Sequence, residues 1–403
     1  MFEVKPILSA LTRHKSSTLL IILQIAITFA VVVNSTSIIQ KRIELMSRDS
    51  GLQEDHLIGL SINAFGKNYD IESNIRADIE LLRNTPGVVD AVAINQVPLS
   101  GDGDSGVVAS SQEKYDNFEN HGAGIFEGDS HLINTLGVNL IEGEDFSESE
   151  ISYTSADPVT KSVIITQSLS NKLFPGESGL GKQIFIGGGA QVTVKGIVEK
   201  MSGSWVHSSI LEDSVYRPYV RLTEFKRILI RTKSKEATAR LLGEVEDLLI
   251  ERNSERVIFA VRTIKENSDR SYSGDAAMTT ILWSVIGFLL IITALGIVGI
   301  VSFNVNQRTK QIGTRRALGA TKVDILRYFL TENILITSFG LIVGIVMTFA
   351  FNAFLADQFE IPAFNWQLIP VGSILMFLVG IVAVWFPAQK ASKVSPAIAT
   401  QSI

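Results

Sequence analysis

Four long apolar runs, each free of Asp, Glu, Lys and Arg, interrupt an otherwise polar chain at 17–39, 279–303, 334–356 and 368–386. A helix needs roughly 20 residues to cross a hydrocarbon layer about 30 Å thick, and each run comes close to or exceeds that length. The pattern predicts four transmembrane helices, one near the N-terminus and three grouped near the C-terminus. Run 17–39 is longer than the apolar part of a cleaved signal peptide, and Asn34-Ser35-Thr36-Ser37 is a poor cleavage site. Trp283, Trp366 and Trp385 stand at run ends, where amphipathic rings favour the membrane–water interface.

Between the first two runs the period changes. His56 to Asn63 alternates as a strand, Ser73 to Asn84 places Ile75, Ile79 and Leu82 at helical spacing, and Val88 to Asn95 alternates again. The same order returns as a strand at 227–232, a helix at 236–250 carrying Leu241, Leu242, Val245 and Leu248, and a strand at 257–261. Two strand–helix–strand units at opposite ends of one segment are expected to build a single subdomain, with Gln183–Ile186 and Val192–Val198 adding strands to it. The stretch from about 101 to 181, rich in Gly, Ser and acids, is expected as an inserted subdomain, with Glu142, Glu144, Asp145, Glu148 and Glu150 in a solvated loop. The fold class is therefore an α+β membrane protein, four transmembrane helices with a large α+β domain between the first and second.

The predicted parts are an interfacial helix within 1–16, a first span and stalk at 17–45, the large domain at 46–275 and a second span at 276–303. A basic loop at 304–332, a third span at 333–356, a turn at 357–367, a fourth span at 368–388 and a tail at 389–403 complete the chain. The N-terminal helix is drawn over Pro6 to His14, where Ile7, Leu8 and Leu11 lie beside Lys5 and Arg13.

Charge sets the orientation. Lys5, Arg13 and Lys15 precede the first span. Arg308, Lys310, Arg315, Arg316, Lys322 and Arg327 lie between the second and third, and Lys390 and Lys393 follow the fourth. The turn between the third and fourth has Asp357 and Glu360 and no Lys or Arg. By the positive-inside rule both termini and the basic loop face the cytoplasm, and the large domain is external. A net charge of −5 argues against a nucleic-acid surface. The chain has no Cys, hence no disulfide and no thiolate chemistry.

Several motifs invite chemistry that their context does not support. Gly176 to Lys182 reads GxxxxGK, but Gln183 replaces the Mg²⁺-binding Ser/Thr and the following residues read as strand, where a phosphate loop needs a helix. His121 and His131 flank Glu127 and Asp129 without a fixed metal-ligand spacing. Asp102 and Asp104 begin like a calcium loop that lacks its remaining ligands. Gln24, Asn34 and Asn304 are expected to hydrogen-bond between helices, and Gly296 with Gly299 and Gly340 with Gly344 to give small packing faces.

The basic loop carries more order than a topology signal requires. Ile312, Leu318, Val323 and Leu326 recur among the charges, predicting short amphipathic helices on the membrane face. Gly319-Ala320 makes a break, after which Thr321 is placed to cap a helix with Asp324 at its third position. A compact cationic knuckle of this kind suits docking of a soluble partner.

The segment Gln307-Arg308-Thr309-Lys310-Gln311-Ile312-Gly313-Thr314-Arg315-Arg316-Ala317-Leu318-Gly319-Ala320-Thr321 resembles the coupling segment of MacB/FtsX-type ABC transporter permeases. Glu332 and the C-terminal run from Pro387 to Ala397 are similar to the same family. Pro86-Gly87-Val88, Leu140-Ile141-Glu142-Gly143, Phe174-Pro175-Gly176 with Gly179-Leu180-Gly181-Lys182, and the strand Val192 to Val198 resemble the MacB periplasmic core domain. The chain departs from the pattern at Gln311, where the family usually has Glu, and at Thr400-Gln401, which replaces a usual Leu-Arg. No ATPase domain precedes the first span, unlike MacB itself, so the nucleotide-binding subunit is expected on a separate chain.

The resemblance implies a permease that is not itself an enzyme. It implies a dimer of four-span subunits, whether of two copies or of this chain with a related permease, in the bacterial inner membrane above two ATPases that carry ATP and Mg²⁺. Arg308, Gln311, Ile312, Gly313, Arg315, Arg316, Ala317, Leu318, Gly319, Ala320, Thr321 and Glu332 would form the ATPase-coupling site. The first and second spans would pass its motion to the external domain, driving export of a peptide, antibiotic or similar molecule with a periplasmic adaptor and an outer-membrane channel. No cofactor or metal is expected in this chain. Related architectures imply two other roles, FtsX-like regulation of cell-wall hydrolases and lipoprotein release in the style of LolC and LolE.

Overall fold

The computed structural model describes residues 15–66, 69–156, 160–359 and 365–395. Lys5, Arg13, the expected helix at 6–14, Glu360 and the tail from Pro396, with Thr400-Gln401, lie outside them. The chain divides into two compact units, Met1–Ser47 with Asp275–Ile403, and Arg48–Gly274.

In chain order the first elements are α1 (Lys15–Met46), β1 (Leu57–Ala64), α2 (Ile71–Arg83), β2 (Val88–Ile94), β3 (Ser105–Val108), α3 (Gln112–Asp116), β4 (His121–Gly128), α4 (Leu132–Leu136) and β5 (Leu140–Gly143). Next come β6 (Ser152–Thr154), β7 (Ser162–Thr166), α5 (Gln167–Leu173), β8 (Gln183–Ile186), β9 (Ala190–Val198), β10 (Ser214–Arg221) and β11 (Phe225–Thr232). The last are α6 (Lys235–Arg252), β12 (Arg256–Thr263), α7 (Ile264–Ser271), α8 (Ser273–Gln307), α9 (Thr309–Ala317), α10 (Lys322–Phe359) and α11 (Leu368–Ser392).

Helices α1, α8, α10 and α11 are each long and apolar enough to cross a membrane. Their packing rests on small residues. A Cβ on Gly340 would meet Ile25 at 2.7 Å, one on Gly344 would meet Phe29 at 3.0 Å, and one on Gly372 would meet Val33 at 2.7 Å, so α10 and α11 approach α1 as closely as backbones allow. Gly296 on α8 likewise abuts Gln24, whereas Gly299 faces no neighbour within 4 Å. Gln24 donates to the Ile292 carbonyl at 3.0 Å, and Thr28 bonds Thr293 at 2.7 Å. Asn34 donates to Ala30 in its own helix and, at 3.4 Å, to Thr348 on α10. These bonds hold the bundle where water is absent. Near the C-terminal end of α1, Arg42 pairs with buried Asp275 at the start of α8.

The inter-span domain contains two sheets. The first has strand order β12-β1-β11-β2, all antiparallel neighbours. Its two β–α–β units, β1–α2–β2 and β11–α6–β12, interlock so that each contributes one central strand. This is the ferredoxin-like arrangement with a long insertion after β2. Ile58, Leu60, Ile62, Ile228 and Ile230 pack on Ile75, Ile79 and Leu82 of α2 and Leu241, Val245 and Leu249 of α6. Ser234 and Asp70 cap the two helices through side-chain oxygens.

The second sheet runs β3-β4-β10-β7-β9-β5, with β6 beside β10 and β8 beside β9. Strands β8 and β9 therefore belong to the insert and not to the first subdomain, and the insert extends on through β10. Alternation in β9 identifies Val192 and Val194 as inward, but a period of two says which side chains point in and not which core they meet. The acidic stretch is also more than a solvated loop. Glu142 accepts from Ser178, and Glu150 closes a capping box with Ser147 and pairs with Lys195.

Candidate functional site

The basic loop folds as a short helix, a tight turn and the start of α10. Helix α9 ends in a Schellman motif: Gly319 N–H donates to the Arg316 carbonyl at 3.2 Å and Ala320 N–H to that of Arg315 at 3.0 Å. Gly319 takes φ +98° with open space around it, so the position is glycine for its backbone and not for crowding. Thr321 then caps α10. Its hydroxyl accepts from Asp324 N–H at 3.2 Å. The Asp324 carboxylate, which accepts from the Thr321 hydroxyl at 2.6 Å and from Thr321 N–H at 2.9 Å, is held below its ordinary range first by the hydroxyl and then by the backbone bond. Helix α10 has 38 residues, roughly 57 Å at 1.5 Å each. Its first three turns thus belong to the knuckle and not to the span.

Two groups of site residues separate. Arg308 and Glu332 are 8% and 6% exposed and face each other, Arg308 donating to both carboxylate oxygens at 3.1 and 3.2 Å. Ile312, buried, and Leu326, half-buried, join the same apolar cluster beneath them, and Gly313 is buried beside Ile312. These residues fasten the loop to the spans. Gln311, Arg315, Ala317, Leu318, Gly319 and Thr321 are exposed, and Leu318 is 83% exposed and Val323 52%. The four apolar residues expected on the membrane-facing sides of short amphipathic helices are thus divided, Ile312 and Leu326 inward, Leu318 and Val323 outward. The Schellman turn causes this by reversing the chain at Gly319, which ends the phase of α9 before Val323 begins another.

The arginines also differ. The Arg315 guanidinium stacks 4.8 Å from the centre of the Tyr328 ring, a cation–π contact that presents its charge outward. Arg316 is half-buried and donates to the Ala320 carbonyl at 3.4 Å, bracing the turn. The exposed cations of the same segment are Lys310, Arg315, Lys322 and Arg327. The exposed face of the segment thus combines an apolar side chain, Leu318, with several cations. Tyr328 and its edge-on contact with Phe329, at 5.5 Å, had no signal in the sequence beyond their position one turn ahead of Glu332.

The other motifs are occupied otherwise. Gly176 to Lys182 forms turns that lead into β8, and Lys182 pairs with Glu177 and lies 4.4 Å from the centre of the Phe174 ring. That leaves neither a free lysine nor a helix N-terminus for a nucleotide. Glu127 accepts from Arg217 and Arg221, His131 meets Asp90 at 2.9 Å, and Asp102 pairs with Arg227.

A profile of the MacB-like periplasmic core domain matches residues 18–248, and one of the FtsX-like permease C-terminal region matches 283–396. The chain belongs to the MacB/FtsX-type ABC transporter permease family. An uncharacterised ABC transporter permease, YknZ of Bacillus subtilis, is 26% identical over 280 residues, covering 68% of each chain. The macrolide export ATP-binding/permease protein MacB of Acinetobacter baylyi is 25% identical over 295 residues, 70% of this chain and 43% of its own length. The chain thus spans less than half of that MacB. Two solved domains align over about half of the chain. They are the extracellular domain of YknZ (16% identical, TM-score 0.33, 50% of this chain and 99% of that one) and the periplasmic region of MacB from Actinobacillus actinomycetemcomitans (14%, 0.34, 55% and 95%). As a MacB/FtsX-type permease the chain carries the family's four apolar helices and periplasmic-type α+β domain in their usual order.

Proposed function

We propose that this chain is the permease subunit of an ABC exporter in the bacterial inner membrane. The basic loop docks, in this reading, on a separate ATPase subunit that carries ATP and Mg²⁺. Both termini are cytoplasmic and the inter-span domain is periplasmic, as the Lys/Arg distribution favours. The observation that carries the reading is Leu318, 83% exposed beside the Gly319 turn in a segment whose exposed cations are Lys310, Arg315, Lys322 and Arg327. Closure of the ATPase pair pushes on this knob. The buried Arg308–Glu332 pair passes the push to α8 and α10, and α8 carries it toward the periplasmic domain. Apolar side chains of α8 such as Phe288 and Leu295, 67% and 65% exposed, offer a face for a second permease copy or a related permease. The cargo is a peptide, antibiotic or similar small molecule, expelled from the periplasm through an adaptor and an outer-membrane channel.

Co-purification tests this. The full chain is expressed with a candidate ABC ATPase of the same organism as wild type, Leu318→Asp, Arg315→Glu and, as a control, Phe118→Asp, which alters an 89% exposed residue of the inter-span domain. Losing one buried leucine at an interface costs about 2 kcal/mol, roughly thirtyfold in affinity. Leu318→Asp and Arg315→Glu are expected to release the ATPase and the control to retain it. An ATPase that ignores wild type, or holds Leu318→Asp as tightly, refutes the docking.

A further inference from the structure

A cavity of about 210 Å³ lies where the two sheets of the inter-span domain meet, at the crossing from β10 to β11. Its charged lining is Asp104, Glu127, Arg221, Lys226 and Arg227. Lys226 is only 9% exposed, and among the described residues no carboxylate lies within ion-pair distance of its ammonium. Glu127, the carboxylate that acts on it through space, already accepts from Arg217 at 3.2 Å and from Arg221 at 3.1 and 3.2 Å. Arg227 is paired with Asp102. A buried amine left without a counter-charge is costly, and every other charge here that is as well buried has been given a partner.

The mouth is open, since the Arg221 side chain is 38% exposed. Three cations face two carboxylates across the lining, an excess of one positive charge. That excess matches a monoanion better than a phosphate dianion, which Asp104 at the rim and Glu127 would repel. The volume admits a small acid or the last residue of a peptide.

We propose that this cavity binds a carboxylate, held by the Lys226 ammonium with Arg221 beside it. The site joins both sheets, because Lys226 stands on β11 and Asn95 directly follows β2 of the first, while Glu127 and Arg221 stand on β4 and β10 of the second. A bound carboxylate would therefore tie the two subdomains together. This inference does not depend on the ATPase docking. Burial, then the like charge of Arg221, lowers the Lys226 amine to about 8, so a large share of it is the unprotonated, acylable form near that pH.

The experiment is acylation of the full chain in nanodiscs at pH 8 with an amine-reactive ester, with Lys226 modification followed by mass spectrometry. The probes, at matched ionic strength, are acetate, an N-acetyl tripeptide with a free carboxyl end, the same tripeptide as its C-amide, and inorganic phosphate. Saturable protection of Lys226 by acetate as well as the peptide acid identifies free small acids as sufficient. Protection by the peptide acid alone identifies a chain terminus. Either supports the site, and Arg221→Met should weaken the protecting carboxylate roughly tenfold. No saturable protection, equal protection by acid and amide, or phosphate protecting as well as carboxylate overturns it. The wild-type measurement stands without any variant, so a misfolded Arg221→Met would not leave the question open.

Discussion

Glu332→Gln isolates the fastening of the knuckle from its docking face. The pair it breaks is buried on both sides, with N–O distances of 3.1 and 3.2 Å. Two unit charges at that separation attract by about 5 kcal/mol at an effective dielectric constant near 20. Glutamine keeps an acceptor for Arg308 but loses the charge, so about 3 kcal/mol of local stability should be lost, in line with other buried pairs deprived of one partner. The loss should be local, because Arg308 sits at the junction of α8 and α9. Opening of α9 then becomes about 150-fold more frequent. Hydrogen exchange by mass spectrometry on the full chain in nanodiscs reads this directly, in peptides covering 305–320. Amide protection there should fall by about two orders of magnitude while the inter-span domain is unchanged. The double variant Arg308→Met/Glu332→Met replaces the pair by apolar groups of similar length and should recover protection to within about 1 kcal/mol of wild type. Unchanged exchange in Glu332→Gln, or a double variant that loses the sum of its two single losses, would refute the idea that this pair fastens the loop.

Three further outcomes follow from local geometry. Gly319→Ala meets no neighbour but must hold φ +98°, so it should cost about 1–2 kcal/mol of turn stability and raise exchange at Arg315 to Ala320 without altering the spans. Ala260 is a non-glycine at φ 55° beside the register shift between β1 and β12. Ala260→Gly should accordingly stabilise the inter-span domain by about 0.5–1 kcal/mol in denaturant or thermal melts. Lys226 titrates at about 8 in the folded chain against a usual 10.5, so between these values the unfolded chain holds the extra proton and stability must rise with pH. The gain is at most about 3 kcal/mol from pH 8 to 10.5. Lys226→Met should remove this pH dependence and raise the melting temperature at pH 7.

The spans could be read from the chain because uncharged runs of about 20 residues have one use in a protein of this composition, and their lengths are fixed by the membrane. The paired β–α–β units were equally legible: periods of 2 and 3.6 belong to single segments, and two units of the same order imply a common sheet. The family was also within reach of the sequence, through residues 307–321. The partition of the inter-span domain was not. Strands β8 and β9 show the same alternation whichever sheet they join, and only the pairing of β9 with β7 and β5 assigns them. The division of the basic loop belongs to tertiary structure for a similar reason. Leu318 and Ile312 are both apolar and six residues apart. One is a buried fastening and the other an exposed knob because Gly319 turns the chain between α9 and α10, and because Glu332, a full eleven residues beyond Thr321, returns to meet Arg308. The unpaired Lys226 is the extreme case. Its sequence neighbours mark it as a strand residue, and only the meeting of two sheets shows that its charge is buried with no carboxylate partner among the described residues.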